Sequence, residues 1–324
     1  MHEDKQPHEL SPAPRWPHGL GVLTVCTAVL ALSSGAVVTT FRVGMADPIW
    51  PTYPWHLALI SWKEPSPGFI VEHTHRLFDY LLGFCSILLA IGLWRGQPRR
   101  WLGWLGIAAL GGIIVQGLLG GFRVRLNELV GPDLALIHGL FAQLVFALLV
   151  SLALFTSRSW AVRVSFPPTA GTGRIWRLSV WTGFLIFVQI VFGAILRHTS
   201  SRLGQRGHIL IAFAVVAAVA LLVKAVFEKR DSEKPLAISV AVLAVLVAVQ
   251  VLFGVEALLI RFGTPGLPEL QITNIPQAII RTAHFVLGSL IFATAVSVSL
   301  RAHRGLAVSV SLPVASAEHL EGAA

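Results

Sequence analysis

The sequence predicts an all-α polytopic membrane protein, with eight transmembrane helices forming two pseudo-repeated four-helix bundles. Three observations predict it. First, of 324 residues 55% are hydrophobic and only 13% charged, with a mean hydropathy of +0.73; a soluble chain carries about 25% charged residues. Second, the apolar residues gather into eight runs, each close to the roughly 20 residues that cross a bilayer. Third, the same polar motif returns at corresponding places along these runs.

Residues 1–17 are polar and Pro-rich and read as a disordered cytoplasmic start. The first apolar run is His18 to Phe41. It is long for a signal h-region of about 7–15 residues, and the repeat needs it as a first helix. The loop from Arg42 to Ile70 carries Trp50, Trp55 and Trp62 among several prolines. It reads as an interfacial segment, since Trp gathers at the membrane–water boundary. Seven more runs follow: Val71–Trp94, Leu102–Phe122, Leu134–Phe155, Ile175–Leu196, Gly207–Phe227, Leu236–Leu259 and Ala278–Leu300. Eight crossings put both termini on one side.

The net charge of +9 is read as membrane topology rather than nucleic-acid binding. Lys and Arg concentrate in cytoplasmic loops. With the termini inside, that face holds 15 of the 25 basic residues and the outer face 10. Most of the outer ones flank histidines: Arg76, Arg123, Arg125, Arg197, Arg202, Arg206 and Arg281. The two cysteines, Cys26 and Cys85, both lie inside apolar runs. They cannot form a loop disulfide, their spacing is not that of a metal site, and they read as small buried apolar residues.

The chemistry centres on Glu72-His73-Thr74-His75-Arg76. Glu72 and His75 are three apart and share a helix face. Ionisable groups beside an apolar span are costly, which makes them functional candidates. His138, His208 and His284 repeat the device near the starts of three later runs. The preceding helices also end alike: Gln116-x3-Gly120 then Arg123, Gln189-x3-Gly193 then Arg197, and Gln250-x3-Gly254 then Arg261. That spacing puts Gln and Gly on one face, where Gly allows close helix contact. The first hairpin has Gly35, Arg42 and His75 but lacks the Gln.

Four related hairpins group into two halves. The expected division is a tail at 1–17, a first half at 18–156, a cytoplasmic linker at 157–174, a second half at 175–300 and a cytoplasmic tail at 301–324. Within such bundles a cofactor can sit between facing helices, with His75 opposite His138 and His208 opposite His284. A single intramembrane histidine is often only a hydrogen-bonding group; four at equivalent repeat positions point to ligation. Opposed neutral imidazoles suit the two axial positions of a haem iron. Zinc fits less well, because no further ligand stands at metal spacing beside any of the four.

Outer arginines can grip a haem propionate or simply snorkel to the interface. His198 lies close enough to support the site. His56 and His73 read as solvated loop-edge residues, and His18 and His303 as tail or interface residues. Only the first half has a carboxylate one turn before its histidine: Ala135, Gln205 and Arg281 occupy the positions equivalent to Glu72. Glu72 can move protons or stabilise positive charge, or it can pair with Arg76 at i+4. Asp79 can hold the far nitrogen of His75 or face water or another helix.

Taken together these pieces resemble the haem A synthases. The carriers are Gly44-Met45-Ala46-Asp47-Pro48-Ile49-Trp50-Pro51, Glu72-His73-Thr74-His75-Arg76-Leu77, Gly120-Gly121-x-Arg123 with His138-Gly139, Gly193-x3-Arg197-His198-Thr199 with His208, and His284 with Gly288. The resemblance implies oxidation of the C8 methyl of haem O to a formyl group, through hydroxylated intermediates, for maturation of a haem–copper terminal oxidase. It implies Glu72 as the catalytic carboxylate, His75 and His138 as ligands of the substrate haem, and His208 and His284 as ligands of a haem b cofactor. Arg76, Arg123, Arg125, Arg197, His198 and Arg281 are the supporting or propionate candidates. Haem O synthase and oxidase assembly factors are the partners it suggests, in the cytoplasmic membrane with the haem sites toward the outer face. The chain departs from the family in lacking outer-loop cysteine pairs and in reading Asp47-Pro48-Ile49-Trp50 where Pro-Asp-Trp is expected.

The main alternative is a non-catalytic dihaem electron carrier, which gives Glu72 no role. A repeat-built transporter would place ionisable residues near mid-membrane. A haem-prenylating transferase would show Asp-rich motifs, which this sequence lacks.

Overall fold

In the computed structural model the described residues are 15–46, 66–161, 171–199, 201–229, 234–262 and 274–311. Their eight long helices are α1 (Trp16–Phe41), α2 (Pro67–Gly96), α3 (Arg100–Arg125), α4 (Asp133–Thr156), α5 (Thr172–Thr199), α6 (Arg202–Phe227), α7 (Lys234–Phe262) and α8 (Ile275–Ser311). All eight are long and apolar enough to cross a membrane. Two single-turn helices, Asn127–Val130 and Arg158–Ala161, follow α3 and α4.

The helix starts have local causes. Ser66 caps α2, its hydroxyl accepting from the Phe69 N–H at 3.2 Å, and Pro67 follows where its missing N–H costs nothing. Ser201 caps α6 by accepting from the N–H groups of Leu203 and Gly204. Helix α1 stops at Arg42, which takes a left-handed conformation (φ 57°) and returns its N–H to Thr39 and Val38 carbonyls. Polar side chains inside the spans turn back on their own helices. Thr24, Thr27, Ser33, Ser86 and Ser151 each donate to the carbonyl four residues earlier, which pairs these hydroxyls within their own helices.

The packing of the first four helices is repeated by the last four. Helix α1 packs on α2, α2 on α3, α3 on α4 and α4 back on α1; α5 to α8 do the same in turn. Each set has its own apolar core. One is built on Leu89, Leu93, Phe146 and Leu149, the other on Leu222, Val240, Leu243 and Val298. The sets meet where α8 lies against α1 and α4, and α4 against α5. Large apolar side chains such as Phe84, Trp104, Phe213 and Leu252 face outward, as a chain solvated by hydrocarbon requires.

Several sequence expectations change here. Helix α2 begins at Pro67, ahead of the expected Val71, so His73 sits inside a helix. It is fully buried and stacks on Phe69 with ring centres 5.2 Å apart, rather than lying solvated at a loop edge. Cys85 is buried as expected, but Cys26 is exposed on the outer surface of α1. Helix α8 continues past Leu300 to Ser311, into what reads as a tail. His18 is not idle: its Nδ1 meets the Ala153 carbonyl at 3.0 Å and so ties α1 to α4. Trp50, Trp55, Trp62, His56 and Asp47 to Pro51, with residues 1–14, 162–170 and 312–324, lie outside the described residues.

Candidate functional site

The four histidines stand on the even-numbered helices, about one and a half to two and a half turns inside each. Each ring faces a glycine on the odd-numbered helix before it. A Cβ added at Gly35 would lie 2.8 Å from the His75 ring, and at Gly120 3.2 Å from His138. The equivalent distances are 2.9 Å from Gly193 to His208 and 3.2 Å from Gly254 to His284. Each glycine is thus a slot for an imidazole, and any side chain there would crowd the ring. This is the close contact that the Gln-x3-Gly spacing predicts, made between helix and histidine.

The glutamines one turn earlier complete the slot. The Gln116 amide donates to the backbone carbonyl of His138 at 3.1 Å, and Gln250 does the same to His284 at 3.1 Å. In the third hairpin the bond runs the other way, with His208 Nδ1 donating to the Gln189 carbonyl at 3.1 Å. That contact fixes the His208 tautomer and leaves Nε2 with its lone pair. In the first hairpin, which has no Gln, Ser34 takes its place with its hydroxyl 3.2 Å from His75 Nδ1. The side-chain oxygens of Gln116, Gln189 and Gln250 and the Nδ1 of His284 are buried without a hydrogen-bond partner.

The rings open into two adjoining cavities. The first, about 90 Å³, is lined by His75, His138, Asp79 and Arg123, with an apolar floor of Leu82, Val145 and Phe146. The second, about 240 Å³, is lined by His208, His284, Gln250, Arg42 and Arg281, with Ile190 and Leu258. The His208 and His284 ring centres are 6.2 Å apart. Their ring planes are 73° apart, and the separation matches the roughly 6 Å expected between two imidazoles bound in line to one metal through bonds of about 2 Å. Among the described residues no three His, Cys, Asp or Glu side chains converge on a bare-ion site. A haem brings its own equatorial nitrogens and needs only two axial ligands. Paired imidazoles, an apolar lining and arginines are the donor set that a haem requires.

The remaining candidates fall into three groups. Arg123 lines the first cavity, Arg281 lines the second, and Arg197 and His198 line both. Glu72 and Arg76 are both buried and joined at 3.0 Å, the i+4 pair open in the sequence; neither is among the residues lining the cavity. Glu72 is within electrostatic reach of Arg123. Arg125 is exposed at the end of α3 and lines neither cavity. Asp79 resolves toward the histidine, with its carboxylate 3.4 Å from His75 Nε2. The sequence reading missed Ser34, Thr39 and Phe285 as lining or contacting residues. Only Phe285, directly after His284, stands where a signal could have been found.

Comparison with known proteins agrees with this arrangement. Residues 53–206 match the family model described as cytochrome oxidase assembly protein. The match takes in Glu72, His75 and His138 and ends just before His208. The chain is 29% identical over 198 residues to the Heme A synthase of Shouchella clausii, covering 58% of this chain and 61% of that protein. It is 29% identical over 185 residues to the Heme A synthase of Halalkalibacterium halodurans, covering 56% and 60%. It is 31% identical over 143 residues to that of Listeria monocytogenes serotype 4a, covering 44% and 45%. The chain therefore spans about three fifths of the length of the first two relatives. These matches bear out the resemblance to the haem A synthases; the carriers at 44–51, His208 and His284 with Gly288 lie outside the stretch matched by the family model.

Proposed function

We propose that this chain, a relative of the haem A synthases, is a membrane oxidoreductase that oxidises a ring methyl of haem O to the formyl group of haem A. The observation that carries the reading is the sorting of four imidazoles, each in a glycine slot, into two pairs in two adjoining cavities. In this reading the halves at 18–156 and 175–300 each house one haem. His75 and His138 hold the substrate haem, and His208 and His284 hold a resident haem b. A bound haem supplies one-electron chemistry at its iron.

The chain's own residues supply the rest. The glycine slots and glutamine amides fix the imidazoles before the haem arrives. The apolar floor of Leu82, Val145 and Phe146 gives the first cavity a surface for an apolar ring face. Arg123 and Arg281 stand where a propionate can be gripped in one cavity each. With water supplying the oxygen, oxidation of a methyl to a formyl group releases four protons together with four electrons, which leave through the bound haem to an external acceptor. Glu72, one turn before His75 and held by Arg76 at 3.0 Å, is the carboxylate that takes the protons up. The excess of basic residues on one face supports cytoplasmic termini, with the haem sites toward the outer face of the cell membrane. Delivery by haem O synthase and collection by oxidase assembly factors belong to the same reading.

The test is chromatography of haems extracted from the purified protein, made in cells that supply haem O, beside Glu72→Gln. The Gln variant keeps a hydrogen-bond acceptor for Arg76. Haem A or a hydroxylated haem in the wild type, with haem O accumulating in the variant, is the expected result. Haem b alone in both proteins would overturn the synthase reading and leave a dihaem electron carrier.

A further inference from the structure

The two cavities share a wall. Thr39, Gly139, Arg197, His198 and Phe285 line both of them. Arg197 is the charged member of this set that holds its charge at every physiological pH. It belongs to α5, yet its guanidinium reaches across to α1, donating to the Ala36 carbonyl at 2.8 Å and the Thr40 hydroxyl at 3.2 Å. Its Cζ lies 5.0 Å from the centre of the Phe285 ring, directly beside His284 in the chain. One side chain thus ties a helix of the first set to the helix carrying a histidine of the second, and sets its charge between the two cavities.

We propose that Arg197 is an electrostatic residue common to both haem sites, so that a single side chain sets the reduction potentials of both haems together. The proposal rests on the haem reading above. Taking up an electron makes a haem more negative, and a fixed cation beside it favours the reduced form. In a water-poor interior that influence is weakly screened. Arg123 and Arg281 provide internal controls. Each lines one cavity only, so each acts more strongly on one haem than on the other.

The test is a spectroelectrochemical titration of purified, haem-loaded protein, with His75→Ala and His208→Ala backgrounds assigning each signal to its site. Arg197→Gln is expected to lower both midpoint potentials to a similar extent, Arg123→Gln chiefly that of the first haem, and Arg281→Gln chiefly that of the second. Arg197→Lys keeps the charge on a shorter reach and is expected to lower both by less. If Arg197→Gln retains too little haem to titrate, the Lys variant carries the test by itself, because the criterion is movement of both potentials in one direction. A shift confined to one haem, or none, overturns the proposal. Wild-type protein that binds no haem overturns the haem reading itself, a distinguishable outcome.

Discussion

The two four-helix sets share one plan but treat their histidines differently. In the second set, His208 and His284 face each other with ring centres 6.2 Å apart, in a cavity of about 240 Å³ with no carboxylate among its lining residues. In the first set the cavity is about 90 Å³, Asp79 touches the His75 ring, and the Glu72–Arg76 pair lies buried one turn away. The second cavity offers imidazoles and arginines, which in the proposed reading suit a resident haem and its propionates. The first carries acidic groups that a structural haem does not need. One hairpin plan thus frames two cavities, and in the proposed reading the added carboxylates separate chemistry from electron supply.

The largest effect expected on this contrast comes from Glu72→Ala. It leaves the buried Arg76 guanidinium without its carboxylate, and breaking a buried pair costs about 3–5 kcal/mol. Thermal unfolding in detergent should show a clear fall in Tm, with the haem of the second set retained to the transition. A Tm equal to that of the wild type would mean that the pair does not hold the first set together.

Next is Gly193→Ala. Its new methyl would lie 2.9 Å from the His208 ring, and overpacking of this kind costs about 1–3 kcal/mol. Haem retention on dilution should fall in the second set alone. Gly254→Ala, at 3.2 Å from His284, should be milder. Equal losses from both sets would break the comparison.

Replacing Gln250 or Gln116 by Leu removes one amide-to-carbonyl bond, worth about 1 kcal/mol. Haem dissociation from the matching set should quicken a few-fold, and the other set should be unmoved. The smallest effect is expected from Asp79→Asn. The carboxylate lines the first cavity 3.4 Å from His75 Nε2, and a single hydrogen-bonding contact of this kind is worth about 0.5–1.5 kcal/mol. A change in the spectrum of the first-set haem alone is expected. A change in both would show that Asp79 acts beyond His75.

Much of this frame was legible in the sequence. Eight apolar runs of crossing length, four histidines at matched positions and a recurring Gln-x3-Gly spacing lead directly to helices α1 to α8 and the imidazole slots. What the runs do not reveal is rotation about each helix axis. Core and lipid are both apolar, so a membrane helix lacks the polar face that fixes the phase of a surface helix. Cys26 and Cys85 show the consequence: both lie in apolar runs, yet one faces out and the other in. His73 was misread because Ser66 starts α2 a turn ahead of its apolar run. Arg197 looked like one outer arginine among many, since its reach to Ala36 joins residues 161 positions apart.

The central claim is that the two sets hold two different haems independently. Haem extraction from His75→Ala and His208→Ala proteins, each made in cells supplying haem O, tests it most directly. The account predicts that His75→Ala keeps haem b and lacks haem O and haem A, while His208→Ala lacks haem b and keeps haem O. Loss of the same haem from both variants, or of every haem from either one while the protein remains folded, would contradict it.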